Sequence, residues 1–100
     1  MNSAAQILAN LTGKTRLEAV NILAAQGFQF KSQTIGGYEN FEHPDGSIIH
    51  IRPTGEIVRT GPKIRGTNGK YYRRRYNQYG EQIKFIPGDN THNTGENLSL

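Results

Sequence analysis

A change of period at Gly27-Phe28 constrains this chain more than any other feature. Before it, apolar residues recur at helical spacing; after it, they alternate and turn signals return at short intervals. Ala4, Ala5, Ile7, Leu8 and Leu11 mark a first helix, which Thr12-Gly13 stops. Thr15 and Glu18 form a capping box for a second helix, with Leu17, Val20 and Leu23 or Ala24 as its apolar stripe. Gly27 then suits the left-handed conformation that ends a helix, with Phe28 placed against Leu23. From Phe28 onward, turn signals at Pro44-Asp45-Gly46, Thr54-Gly55, Thr67-Asn68-Gly69 and Tyr79-Gly80 separate short runs. Strands are predicted over 28–33, 37–43, 47–52, 56–59, 70–76 and 82–86. The expected fold is a single α+β domain over residues 1–100: 1–27 helical, 28–86 sheet, 87–100 a polar loop and tail. Two N-terminal helices pack on a small twisted antiparallel meander. Leu17, Val20, Leu23, Phe28, Phe41, Ile49 and Ile51 are its expected core.

The strand over 47–52 sets the two faces. Ile49 and Ile51 point one way, and Ile48, His50 and Arg52 the other. If the helices cover the isoleucine side, the opposite face is open, and a single-stranded nucleic acid can lie across it.

Charge favours that partner. The chain carries +4 overall, and between His50 and Lys84 only Glu56 and Glu81 oppose Arg52, Arg59, Lys63, Arg65, Lys70, Arg73, Arg74, Arg75 and Lys84. Within that stretch, Tyr71-Tyr72-Arg73-Arg74-Arg75-Tyr76 combines phosphate-binding cations with rings on which bases stack. Alternation puts Tyr72 and Arg74 on one face and Tyr71, Arg73 and Arg75 on the other, so one subset is expected to meet a substrate. Edge strands also carry charge simply to prevent sheets from joining, which accounts for Arg73 and Arg75 but less well for the tyrosines or for Lys63 and Arg65.

Other chemistries find little support. Without cysteine there is no disulfide, thiolate site or thiol nucleophile. Gly13-Lys14-Thr15 imitates the end of a P-loop but lacks the earlier glycine, since Leu8 stands there, and lacks a preceding strand. Glu39, Glu42 and Asp45 have no recognised metal-ligand spacing. No stretch approaches the roughly 18 apolar residues of a membrane span, and no signal peptide opens the chain. The expectation is a soluble chain with no metal, cofactor or membrane partner. Of the histidines, His43 falls at a turn, His50 lies beside Arg52 on a polar face, and His92 sits in a polar loop with Asn93 and Thr94.

Several segments carry a resemblance: Phe41-Glu42-His43-Pro44-Asp45-Gly46-Ser47, Ile49-His50-Ile51-Arg52-Pro53, Gly55-Glu56-Ile57-Val58-Arg59, Gly69-Lys70-Tyr71-Tyr72-Arg73 and His92-Asn93-Thr94-Gly95-Glu96. Together they resemble the C-terminal toxin domains of bacterial polymorphic and contact-dependent inhibition toxins, over roughly the last two thirds of the chain. The layout is similar to the ribonuclease group of barnase, EndoU, the tRNA-cleaving colicins and RelE. The resemblance implies a metal-independent endoribonuclease acting on tRNA or another structured RNA, restrained by a cognate immunity protein or antitoxin. It implies delivery into a target cell's cytoplasm, or a cytoplasmic toxin paired with an antitoxin.

Such cleavage needs a base for the 2′-hydroxyl, an acid for the leaving 5′-oxygen and cations around the phosphorane. His50 and His92 are the expected base and acid, with Thr94 beside His92. Arg52, Arg59 and Arg74 are the expected clamps, and Tyr72 a stacking group or alternative acid. Lys63, Arg65, Lys70, Tyr71, Arg73 and Arg75 are expected to hold RNA. The rival readings are a non-catalytic RNA- or DNA-binding module and a domain that binds an acidic protein.

Overall fold

The computed structural model describes residues 2–83 and 95–100. Two helices, α1 (Ala4–Ile7) and α2 (Arg16–Ala25), precede five strands: β1 (Gln29–Gln33), β2 (Glu39–Glu42), β3 (Ile48–Ile51), β4 (Ile57–Arg65) and β5 (Tyr71–Tyr76). All neighbours pair antiparallel in the order β1-β2-β3-β4-β5. This is an α+β chain with a five-stranded meander, as the change of period implies. Of the strand expected over 82–86, the described residues show one bridge, Gln82 to Tyr76; 84–86 lie outside them.

One turn geometry builds the sheet. Thr34–Tyr38, His43–Ser47, Arg52–Glu56, Gly66–Lys70 and Asn77–Glu81 share it: the first carbonyl accepts from the N–H three residues on, and the first N–H donates to the fifth carbonyl. The fourth residue is always glycine, with φ between 78° and 94°. That left-handed conformation costs other residues roughly 1–2 kcal/mol, so glycine spacing sets the hairpins.

The second helix follows its sequence signals. Thr15 Oγ1 accepts from Glu18 N at 3.2 Å, and the Glu18 carboxylate accepts from Thr15 N at 3.0 Å. At the other end Gly27 takes φ 91°, and Phe28 N donates to Leu23 O at 2.9 Å, which satisfies a carbonyl the helix leaves free. The buried stripe, however, runs through Ala19 and Leu23 with Val20 and Ile22 beside it, while Leu17 is 70% exposed. Leu17 lies about 200° around the helix from Ala19, so it cannot share that face.

The first helix is shorter than predicted. It ends at Ile7, and Leu8 turns to an extended ψ of 134°. The reason is Arg59, which enters from β4 and draws in carbonyls that a longer helix would use itself. Its Nη1 donates to Ala5 O and Leu8 O at 3.0 and 2.7 Å, and its Nη2 donates to Ala9 O at 2.9 Å. The remaining donors meet Glu96, Nε to Oε1 and Nη2 to Oε2, both at 2.8 Å. Glu96 Oε2 also accepts from Leu11 N at 2.8 Å. Arg59 and Glu96 are both 0% exposed.

Around that pair lies one apolar cluster containing Ala5, Leu8, Leu11, Leu23, Phe28, Phe41, Ile49, Ile51, Ile57, Tyr76 and Leu98. Of the polar tail expected over 87–100, residues 95–100 are instead tied into the fold. Ile57 N donates to Glu96 O, Leu98 N to Gly55 O and Ser99 N to Lys14 O, each at 2.8 Å.

Candidate nucleic-acid interface

Register assigns every side chain of the sheet to a face, because cross-strand partners share one. Ile49 pairs with Phe41 and Arg59, and Arg59 with Tyr76; these form the core face. His50 pairs with Asn40 and Val58, Ile48 with Thr60, and Thr60 with Arg75; these form the other. Alternation therefore places Arg73 and Arg75 on the His50 face, and Tyr72 and Arg74 on the opposite one. The expected grouping of Tyr72 and Arg74 with His50 does not occur.

A line of hydrogen bonds crosses the His50 face. Asn40 Nδ2 donates to Ser32 Oγ at 3.1 Å, which turns its Oδ1 toward His50 Nδ1, 2.7 Å away. With the Asn40 amide in this orientation its oxygen accepts, which corresponds to the ring form with the proton on Nδ1 and the lone pair on Nε2. Thr60 Oγ1 lies 3.1 Å from Nε2, where its hydroxyl donates. Next across the sheet comes Arg75. Its Nε is buried and has no hydrogen-bond partner among the described residues. Burial, and then repulsion from Arg73, hold its guanidinium below its ordinary pKa. An anion at that point would relieve both costs.

This face is less open than the alternation suggests. Val58 is buried, His50 is half-buried, and Thr60 is 2% exposed. The exposed cations lie farther along the β4–β5 hairpin. β3 pairs with β4 only as far as Thr60, so beyond it, among the described residues, Lys63–Arg73, Ile64–Tyr72 and Arg65–Tyr71 pair with each other alone. Among those residues the hairpin thus continues as a two-stranded ribbon. Arg73 anchors its base, donating from Nη1 to Gly46 O and Gly61 O at 2.8 and 3.2 Å.

Lys63, Arg65, Lys70 and Arg74 are exposed on this ribbon, with Tyr71 and Tyr72 exposed by 65% and 46%. No acidic residue occurs between Glu56 and Glu81. A free ribbon has two edges, and charge there discourages sheet pairing. That role is indifferent to sign and has no use for exposed tyrosines, so it leaves the composition of the ribbon unexplained.

The other expected site residues are distributed as follows. Arg59 is withdrawn: all five guanidinium N–H donors are used internally, and none can reach a phosphate. Arg52 lies on the His50 face by alternation, ion-paired to Glu56 at 3.0 Å and stacked over Tyr38 at 5.5 Å. His92 and Thr94 lie outside the described residues. Asn40, Thr60 and Ser32 had no sequence signal as neighbours of His50, since only register brings them together. Glu39 and Glu42 pair with Arg16 and Lys31, while Asp45 accepts from Ala4 N and Ser47 N. Among the described residues no group of three or more potential metal ligands gathers. No known protein family, curated protein or solved structure matches the chain.

Proposed function

We propose that the chain is a metal-independent endoribonuclease of the bacterial toxin class, with RNA running from the β4–β5 ribbon onto the His50 face. The observation that carries this reading is the partly buried Arg75, whose Nε has no hydrogen-bond partner among the described residues, one residue pair from a histidine held at both ring nitrogens. In this reading both helices close the Ile49 face and leave the other to substrate. Once the Thr60 hydroxyl turns away from His50 Nε2 and frees its lone pair, that nitrogen takes the 2′-hydroxyl proton as the 2′-oxygen attacks phosphorus. Arg75 and Arg73 balance the phosphorane charge, a role the sequence alone would give to Arg52, Arg59 and Arg74. The 5′-oxygen departs with a proton from a second acid, for which His92 and neighbouring Thr94 are proposed. The products are a 2′,3′-cyclic phosphate and a free 5′-hydroxyl.

A toxin of this kind is held by an acidic immunity protein or antitoxin, which the same basic surface suits. Its substrate would be tRNA or another structured RNA in a cytoplasm. Among the described residues no helix is long and apolar enough to cross a membrane.

Purified chain incubated with total tRNA and a chelator should give discrete fragments ending in cyclic phosphate. His50→Ala should lower the cleavage rate by roughly 100-fold or more while binding persists. Intact RNA retained by the parent chain would instead establish the second reading, a non-catalytic nucleic-acid-binding module. The exposed ribbon favours that alternative, because it lies away from His50 and needs no chemistry to act.

A further inference from the structure

The cations of the ribbon occupy both of its faces. The register puts Lys63, Arg65, Tyr71 and Arg73 on one face and Ile64 and Tyr72 on the other, where alternation adds Lys70 and Arg74. A single strand lying across a sheet needs positive charge on one side only. Charge on both sides fits a position between two negative walls, and in nucleic acids such walls are the facing phosphate backbones of a duplex groove. Dimensions agree for a B-form duplex, whose major groove of about 12 Å admits two paired strands about 4.8 Å apart, while an A-form RNA duplex offers its wide, shallow minor groove instead. With two residue pairs beyond its anchor at Arg73 and Gly46, closed by the turn at Gly66–Lys70, the ribbon projects from the sheet as such a fit requires.

We infer that the β4–β5 ribbon is a docking arm for double-helical nucleic acid, inserted between the two phosphate walls of a groove. Arg65 and Lys63 meet one wall and Arg74 and Lys70 the other. Tyr71 and Tyr72, consecutive in β5 and so on opposite faces, lie against the sugar and base edges. The arm extends beyond the proposed chemistry and does not depend on it.

The test uses the full-length chain carrying His50→Ala, so that cleavage cannot distort binding. A labelled RNA duplex, a DNA duplex of the same sequence and each separated RNA strand are titrated by fluorescence anisotropy at several salt concentrations. At least one duplex should bind about tenfold tighter than the single strands. Arg65→Gln and Arg74→Gln, exposed and on opposite faces, should each weaken duplex binding severalfold and reduce the salt slope by about one. Single strands bound as tightly as either duplex would overturn the inference. So would an unchanged affinity for Arg74→Gln, because the arm would then use one face alone. A preference for the RNA duplex identifies RNA as the partner. A preference for the DNA duplex sustains the arm and counts against the ribonuclease reading, so the two proposals fail separately.

Discussion

Arg59 shows how far one side chain can depart from what its type suggests. In a stretch rich in exposed cations it reads as a phosphate clamp, yet its guanidinium joins α1, the segment after it and the C-terminal segment at a single buried point. Nothing local reveals this, since its carboxylate partner Glu96 is 37 residues away. Lysine offers the same charge but only three donors on a flexible stem and no planar fork. Arg59→Lys should therefore destabilise by about 3–5 kcal/mol, because carbonyls and part of Glu96 lose their donors while remaining buried. Urea unfolding measures it, and a loss under about 1 kcal/mol would show that the site relaxes or admits water. Asp45 provides a case at low pH. Burial raises its carboxyl, but N–H donation from Ala4 and Ser47, the Ser47 hydroxyl and nearby His43 outweigh that and hold it below its ordinary value. The folded chain thus binds the proton less readily than the unfolded one, so the stabilisation is complete above the unfolded pKa of about 3.9 and fades as pH falls through the lower folded value. Asp45→Asn should lower stability near neutrality and flatten the acid limb of the stability profile between those values. An unchanged acid limb would mean that the shift arises elsewhere.

At the level of elements, the turns and α2 were the most legible because their determinants are local. A capping box, a left-handed glycine and a glycine closing each hairpin act within five residues, and four of the five repeated turns carried visible signals. The fifth, Thr34–Tyr38, falls in the gap between the strands expected over 28–33 and 37–43, so its place is legible although its closing glycine, Gly37, falls inside the expected strand. The length of α1 and the exposure of Leu17 were not legible, since both depend on partners remote in sequence. Two glycines with the same role separate local from tertiary cost. Gly69 and Gly80 have φ of 80° and 78°, so alanine suffers similar backbone strain at each. A Cβ at Gly69 meets nothing within 4 Å, whereas at Gly80 it would sit 2.4 Å from the Gln6 carbonyl oxygen. Gly69→Ala should cost about 1–2 kcal/mol from strain alone. Gly80→Ala should cost a further 1–3 kcal/mol or so, because the turn or α1 must move. Equal losses by thermal unfolding would show that the turn at Asn77–Glu81 yields freely.

Across the whole molecule, the meander pairs sequence neighbours, but the segment before α2 and the C-terminal segment are held together across the chain. Gly13 N donates to Asn97 O at 2.9 Å and Ser99 N to Lys14 O at 2.8 Å, while Asn97 bridges Glu56 beside β4. This closure is not legible in a polar, aperiodic segment, because the buried arginine that Glu96 meets lies 37 residues away in sequence. The His50 face is likewise only partly legible, since alternation assigns its residues to a side but cannot show that Thr60 is buried or that Arg75 Nε has no partner among the described residues. Removing residues 96–100 would delete Glu96 and Leu98 together, leaving Arg59 charged and buried against carbonyls alone and opening the core at Leu98. The two losses come from different mechanisms, about 3–5 kcal/mol for the broken pair and about 2–5 for the vacated leucine, and share one contact region. Their sum approaches the 5–15 kcal/mol total of an ordinary domain. The truncated chain should therefore lack a cooperative thermal transition and exchange its β3 and β4 amides freely. Glu96→Gln, which keeps Leu98 and the backbone bonds, should still unfold cooperatively at a lower temperature. A truncated chain that melts within a few degrees of the full one would mean that the meander and helices stand without the C-terminal segment, and that the Arg59–Glu96 pair contributes little to holding them.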